Sequence, residues 1–584
     1  MNKKYKTLLT LKKYLAHHKK GLIWGFFALI LTQVFTVMSP KIMGLAIDSL
    51  RENPEKSVLL KYALLFIGVM IAQGIFRFFM RYVIIGISRK IEYKIRNEYF
   101  SRLLKLSQNF YNRVRTGDLM ARATNDLNAV RAMLGPGILY SINTVFLFIV
   151  VAAIMFTINV KLTLLALVPF PFIAFIVYMI GKRIHKLFEK IQEQFSTIET
   201  RVQEVLSGIR VIKSYNRGEN ELKIFKNLNA EYVSRNKKLI KLWSLFFPLM
   251  QLLGGIGMSI ILIFGGYQVI NKIITLGDFV AYTGYLMMLL WPMMALGWVI
   301  NLFQRGAASL GRINSIIDEE PDIRDNENIV EIKDIKGEIE VKNLTFNFPG
   351  TDKSVLKNIS FKISQGKSLA VIGRTGSGKT TLINVLSRVL DPPDDTVFID
   401  GVDIKRLSLK NLREIIGLVP QEPFLFSDTI TENIRFAKSD AAMDEIVSAS
   451  EVGAVDKDIE QFSDKYESLL GERGINLSGG QKQRLTISRA VIKNPKIFLF
   501  DDALSSVDTA TEEKILSNFK KIKGNKTCIL IAHRISTIRD CDYVIVLKEG
   551  EIIEEGTHED LLQLQGHYTE LYNKQLITEE LENI

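Results

Sequence analysis

Gly373-Arg374-Thr375-Gly376-Ser377-Gly378-Lys379-Thr380 fits G-x-x-x-x-G-K-[ST], the spacing of a chain wrapped around a phosphate. Three glycines let successive backbone N–H groups face one anion without side-chain clashes. Lys379 is placed to reach the β- and γ-phosphates of a nucleotide. The Thr380 hydroxyl can bind Mg²⁺, and Thr381 continues the same helix start. The flanks agree with that chemistry. Ser368–Ile372 (SLAVI) reads as a buried strand and Thr380–Leu390 as a helix, so a helix N-terminus is aimed at the same anion. The expectation is a nucleoside triphosphate site.

Further residues extend the constellation. Ile497-Phe498-Leu499-Phe500-Asp501 is an apolar strand ending in a carboxylate, which a parallel sheet would place beside the phosphate loop, where it can hold Mg²⁺. Leu477-Ser478-Gly479-Gly480-Gln481 opens a second helix, whose exposed N–H groups form another anion-binding start.

These residues need a scaffold, and the composition says which kind. The chain has 584 residues, 47% of them hydrophobic, with the apolar ones concentrated before about residue 305. Six apolar runs lie at roughly 21–45, 58–83, 136–158, 162–183, 243–269 and 279–303, each near the ~20 residues that cross a bilayer. The formal charge of +13 comes largely from Lys and Arg in segments flanking these runs. That is the positive-inside pattern rather than a nucleic-acid surface, so no nucleic-acid partner is expected. Residues 84–135 and 184–242 are long, polar and helical in pattern, so the helices are expected to continue into the cytoplasm, with both termini inside. Cys528 and Cys541, the two cysteines, offer neither a disulfide framework nor metal-ligand spacing.

The expected organisation is an interfacial helix (1–20), a six-span domain (21–304), a polar linker (305–337) and a soluble α/β domain (338–584). Arg77 and Arg81, one turn apart in the second span, read as snorkelling cations or as a face for an anion. Met287, Met288, Met293 and Met294 with Trp291 and Trp298 suit either packing or an adaptable greasy cavity. Phe110–Asp126 and Ser207–Arg217 look like short crosswise helices or ordinary turns.

Together the motifs resemble the ATP-binding cassette (ABC) transporter superfamily, in particular the exporter half-transporter, over essentially the whole chain. The resemblance implies six long membrane helices followed by a cytoplasmic P-loop ATPase domain, using ATP and Mg²⁺. It also implies that Leu477–Gln481 of one subunit closes over ATP held by the phosphate loop of another, in the cytoplasmic membrane, with an amphipathic or hydrophobic small molecule (drug, lipid or peptide) as cargo. Phe348 matches the aromatic, usually Tyr, that stacks on adenine. Gln421 matches a residue that senses Mg²⁺ and the attacking water, and His533 one that contacts the γ-phosphate. Glu472 and Arg473 match a segment touching the inner-loop helices, and Ser505 to Asp508 the loop at the dimer interface. One position departs from the pattern: Asp502 stands where the family usually has Glu to polarise the attacking water. Its carboxylate sits roughly 1.5 Å further back, outside general-base reach. The resemblance then points to a heterodimer with one slow and one fast site, with a homodimer as the alternative. An ATP-regulated membrane sensor is the rival that this departure would suit.

Overall fold

The protein is described here by a computed structural model covering residues 8–326, 328–330, 334–532 and 534–582. It divides into two units, one drawing on residues up to Leu104 and on Thr116–Glu319, the other on Lys105–Arg115 and on residues from Glu320 onward.

In the first unit the short helix α1 (Leu11–Ala16) buries Leu11 and Tyr14 on one face, and the Tyr14 hydroxyl donates to Glu98 at 2.5 Å. Among the described residues, six helices are long and apolar enough to cross a membrane. They are α2 (Lys19–Glu52) and α3 (Lys56–Leu103), then, beyond the short α4 (Gln108–Arg113), α5 (Thr116–Ile158) and α6 (Val160–Ser207), and, beyond α7 (Ile209–Ser214), α8 (Gly218–Ile270) and α9 (Leu276–Ile317). The longest has 53 residues. At 1.5 Å per residue that is roughly 80 Å, against a hydrocarbon core of ~30 Å, so these helices extend well past a bilayer.

Their ends are sharply specified. Asn159 alone separates α5 from α6, and its Oδ1 accepts the Leu162 N–H at 2.9 Å, capping the new helix. Gly44 and Gly277 let α2 and α9 touch backbone to backbone, since a Cβ on Gly277 would stand 2.0 Å from the Gly44 oxygen. Asp48 Oδ1 accepts the Gly277 N–H there at 2.7 Å.

The last helix corrects the expected linker. Residues 305–317 continue α9, because Leu310, Ile313 and Ile316 recur at helical spacing and are buried. The methionine group divides: Met288 and Met293 pack on the core of the unit, while Met287, Trp291 and Trp298 are exposed. Of the two crosswise patches, the first runs from the end of α4 into the start of α5, and the second contains α7. α4 belongs to the second unit, where neighbouring Ser107 donates to Asp322 at 2.8 Å, and α7 buries no residue.

The second unit is built on a six-stranded sheet of order β10-β9-β3-β8-β7-β6: β3 (Ser368–Gly373), β6 (Ile416–Val419), β7 (Ile497–Asp501), β8 (Thr527–Ile531), β9 (Tyr543–Lys548) and β10 (Glu551–Gly556). All neighbours are parallel except β10 with β9. Alternate residues feed separate cores on its two faces: Val371, Leu499 and Ile531 on one, Ile372, Phe498 and Phe500 on the other. Covering both faces explains why β7 and β8 read as unbroken apolar runs. A smaller antiparallel sheet combines β1 (Ile339–Asn347), β2 (Ser354–Ile363), β4 (Val397–Ile399) and β5 (Val402–Asp403). Residues 425–492 gather around their own core, which includes Leu425, Ile446, Leu477 and Leu485.

Candidate nucleotide site and signature helix

β3 ends at Gly373 and α10 (Lys379–Leu386) begins six residues later. Gly373 takes φ 154° beside β9, and a Cβ there would lie 2.2 Å from the Leu547 oxygen. Gly378, which caps α10, takes φ 102°, a conformation that L side chains rarely adopt. Both positions therefore need glycine.

Inside this loop the Lys379 ammonium donates to the carbonyls of Gly373 at 2.7 Å and Arg374 at 3.1 Å. Burial lowers its pKa, while Asp502 and Asp501 pull the other way. The Ser377 hydroxyl is buried and has no hydrogen-bond partner among the described residues. A buried cation held by loop carbonyls and an unsatisfied hydroxyl in the same loop fit an anionic ligand such as phosphate. Arg374 is exposed and faces Glu570 at 3.7 Å. Thr375 and Gly376 are exposed, and Thr381 is half-buried.

The end of β7 meets this loop. Asp501 lies level with Ile531 of β8, which in turn lies level with Val371 of β3. Thr380 Oγ1 donates to Asp501 Oδ1 at 3.1 Å. This hydroxyl–carboxylate pair is a donor set suited to Mg²⁺ beside phosphates. The next residue, Asp502, is buried at φ 49°, with its N–H donated to the Ile531 carbonyl at 3.0 Å. Gln421 Nε2 approaches Asp502 Oδ2 at 3.5 Å, a long contact. Phe348, half-buried, stands edge-on to Phe346 with ring centroids 5.5 Å apart, just beyond β1. His533 lies outside the described residues.

Ser478 caps α11 (Gly479–Ile492) through a reciprocal box. Its Oγ accepts the Gln481 N–H at 3.3 Å, and Gln481 Oε1 accepts the Ser478 N–H at 3.0 Å. Gln481 also donates to Asp458 at 2.9 Å, so its side chain fixes the helix start. Gly479 and Gly480 lie against Ser506, and a Cβ on Gly480 would stand 2.8 Å from its carbonyl oxygen. Leu477 is buried behind them. Asp508 caps α12 (Thr509–Lys523) by accepting the Thr511 N–H at 2.9 Å. Glu472 and Arg473 sit in an exposed turn, Arg473 at φ 53°.

Two residues that sequence reading passed over connect these parts. Gln483, 2% exposed, donates to Ser505 Oγ at 3.1 Å and accepts the Ser506 N–H at 3.0 Å. Arg489 donates to the carbonyls of Asn433 and Phe424, each at 2.8 Å, and lies over the rings of Phe426 and Phe436. It thereby fastens the segment after Gln421 to α11. Burial pushes the Arg489 guanidinium down to about 10, so it remains charged at neutral pH. A polar residue at a core-facing helical position was the available signal for Gln483. Arg489 gave none, because its partners on Asn433 and Phe424 lie 56 and 65 positions away in sequence.

The family described as the ABC transporter transmembrane region matches residues 22–293, and the family described as ABC transporter matches 356–505. The chain is 36% identical over 569 residues to the uncharacterized ABC transporter ATP-binding protein YknU of Bacillus subtilis (strain 168), covering 97% of each protein. The chain is an ABC exporter half-transporter. It is 37% identical to the probable multidrug resistance ABC transporter ATP-binding/permease protein YheI of the same organism, over 94% of each. It is 33% identical to the ATP-dependent lipid A-core flippase of Syntrophus aciditrophicus (strain SB), over 91% of this chain and 88% of that one. A solved bacterial Atm1-family ABC exporter with ATP bound aligns at a TM-score of 0.80 and 27% identity, covering 96% of this chain and 99% of that one. As an ABC exporter this is a multi-pass membrane protein whose ATP-binding domain couples ATP hydrolysis to transport, and half-transporters of this kind work as dimers.

Proposed function

We propose that the chain is one half of a heterodimeric exporter of the cytoplasmic membrane that moves an amphipathic or hydrophobic small molecule, with both termini in the cytoplasm. The cargo class rests on the multidrug and lipid A-core relatives. The observation that carries the dimer reading is Asp502, buried beside the phosphate loop where a full-length catalytic carboxylate is expected.

In this reading Gly373–Thr381 cradle ATP, and Lys379 leaves the loop carbonyls for the β- and γ-phosphates. Phe348 stacks on the base. Mg²⁺ held by Thr380 and Asp501, with Gln421 nearby, would neutralise phosphate charge. Ser478 and the N–H groups of α11 close on the partner's ATP, while Ser505, Asp508, Glu472 and Arg473 serve the dimer and coupling surfaces. His533 contacts the γ-phosphate. This chain's own phosphate loop then forms the slow site, and its intact Leu477–Gln481 completes the fast one. ATP closure of two nucleotide domains drives alternating access as a two-state switch. The deciding experiment is uptake of fluorescent amphiphiles into proteoliposomes with external ATP. Accumulation against a gradient supports export, and ATP binding without solute movement would favour the sensor.

A further inference from the structure

Where α1 joins α2, an open groove of about 1280 Å³ runs along one face of α3. Its charge is one-sided. Lys19 and Lys20 approach from α2, and Arg77, Arg81 and Lys90 line the α3 side; no carboxylate lines it among the described residues. Arg89 also borders the groove but is engaged by Glu92 at 3.0 Å. Among the described residues the other five make no ion pair or side-chain hydrogen bond.

These charges stand at different depths. Gly21 and Gly25 of α2 face Ile87 and Ile84 of α3, so the helices run antiparallel and Lys19 is level with about Arg89. From there Arg81 and Arg77 lie roughly 12 and 18 Å further along α3 at 1.5 Å per residue. The apolar run of α2 starts at Gly21, so both arginines lie alongside membrane-embedded sequence. An unpaired guanidinium at that depth is costly unless an anion or water reaches it.

The remaining surface of the groove is apolar and open. Phe78 and Tyr82 stack with centroids 5.9 Å apart and planes within 13°, and both are exposed. Gly74 and Gly86 flank them, and a Cβ on either would meet nothing within 4 Å. The groove therefore asks for an occupant with a phosphate-like head and a hydrocarbon body. A free phosphate would leave the aromatic floor uncovered, and a zwitterionic lipid would bring its ammonium against the basic rim.

We propose that this groove binds an anionic glycerophospholipid, with its phosphodiester at Arg77 and Arg81, the Lys19–Lys20 pair adding attraction from the end of the groove near α1, and an acyl chain over Phe78, Tyr82 and the two glycines. Guanidinium groups suit that head because they donate two parallel hydrogen bonds to phosphate oxygens. The topology proposed above decides only which leaflet supplies the lipid.

The test uses the full-length protein in phosphatidylcholine nanodiscs containing phosphatidylglycerol in both leaflets, so the result does not depend on topology. Native mass spectrometry reads the lipid each subunit retains. The unaltered chain should retain phosphatidylglycerol over phosphatidylcholine, and an Arg77→Ala/Arg81→Ala double variant should bind it about tenfold more weakly. Gly86→Leu, which fills the open floor without changing charge, should also weaken it, and both variants should keep their ATP hydrolysis as a sign of intact folding. Inorganic phosphate should not compete. Retention by the double variant equal to that of the unaltered chain overturns the proposal. So do equal losses of both lipids, or displacement by inorganic phosphate.

Discussion

Gln421 Nε2 stands 3.5 Å from Asp502 Oδ2, and Asp502 holds a left-handed backbone at φ 49°. Asp is among the few non-glycine residues enriched in that region, and for L-residues with longer side chains it costs on the order of 1–2 kcal/mol. The short carboxylate thus matches its backbone, and the proposed slow site rests on its lacking the extra methylene of Glu. Asp502→Glu should raise the ATPase rate of the chain studied as a homodimer by tenfold or more, up to the ~10²–10⁴-fold worth of a general base. It should also lower the melting temperature slightly. Steady-state ATPase and thermal unfolding measure the two effects. An unaltered chain already hydrolysing ATP as fast as the variant would remove the argument for a slow site.

In a complex whose partner supplies Glu at the equivalent position, substitutions in this chain should not be equal. Ser478→Arg removes the cap of α11 and places a cation where the partner's γ-phosphate must sit, so ATPase should nearly vanish. Asp502→Ala should leave most turnover intact. Lys379→Ala should fall between, because it weakens ATP-driven closure without altering the partner's phosphate loop. Steady-state rates of the purified complex rank them. Equal damage from Asp502→Ala and Ser478→Arg means the two sites are catalytically equivalent.

Arg489→Met keeps most of the bulk but leaves the carbonyls of Asn433 and Phe424 without their donor. The Asn433 carbonyl is part-buried while the Phe424 bond lies at the surface, so one unsatisfied acceptor sets the loss at about 1–3 kcal/mol of stability, together with much of the ATPase. Arg489→Lys should recover only part, since one ammonium cannot reproduce the fork over Phe426 and Phe436. Full stability in the methionine variant, by denaturant unfolding, would mean that water replaces the guanidinium.

Thiol labelling tests the topology. Burial pushes the Cys541 thiol up to about 12 and raises Cys528 further, so the reactive thiolate forms only as pH climbs through those values. Near neutral pH the native cysteines should stay silent without being replaced. Asn53→Cys, between α2 and α3, should react with an impermeant maleimide in intact cells. Arg113→Cys and Arg210→Cys should react only after permeabilisation. The opposite pattern inverts the assignment of inside and outside.

The sequence by itself determined the elements whose signal is local. The strand–turn–helix around Gly373–Thr380 was legible because its glycines, Lys379 and Thr380 fall within eight consecutive positions, and the spans because a bilayer demands about 20 apolar residues in a row. β7 and β8 were legible as unbroken apolar runs because both faces of the sheet are covered. The tertiary structure decided what depends on distant partners. It carried α9 through residues 305–317, where Leu310, Ile313 and Ile316 supply a buried face within polar composition. It placed Asp501 against Thr380 across 121 positions of sequence. It also gave Arg489 a role resting on carbonyls supplied by a distant segment, and it set Arg77 and Arg81 along the same groove as Lys19 and Lys20. Side-chain type and spacing report what a segment can do. Which charges meet across helices depends on how those helices pack, and neither helix encodes that alone.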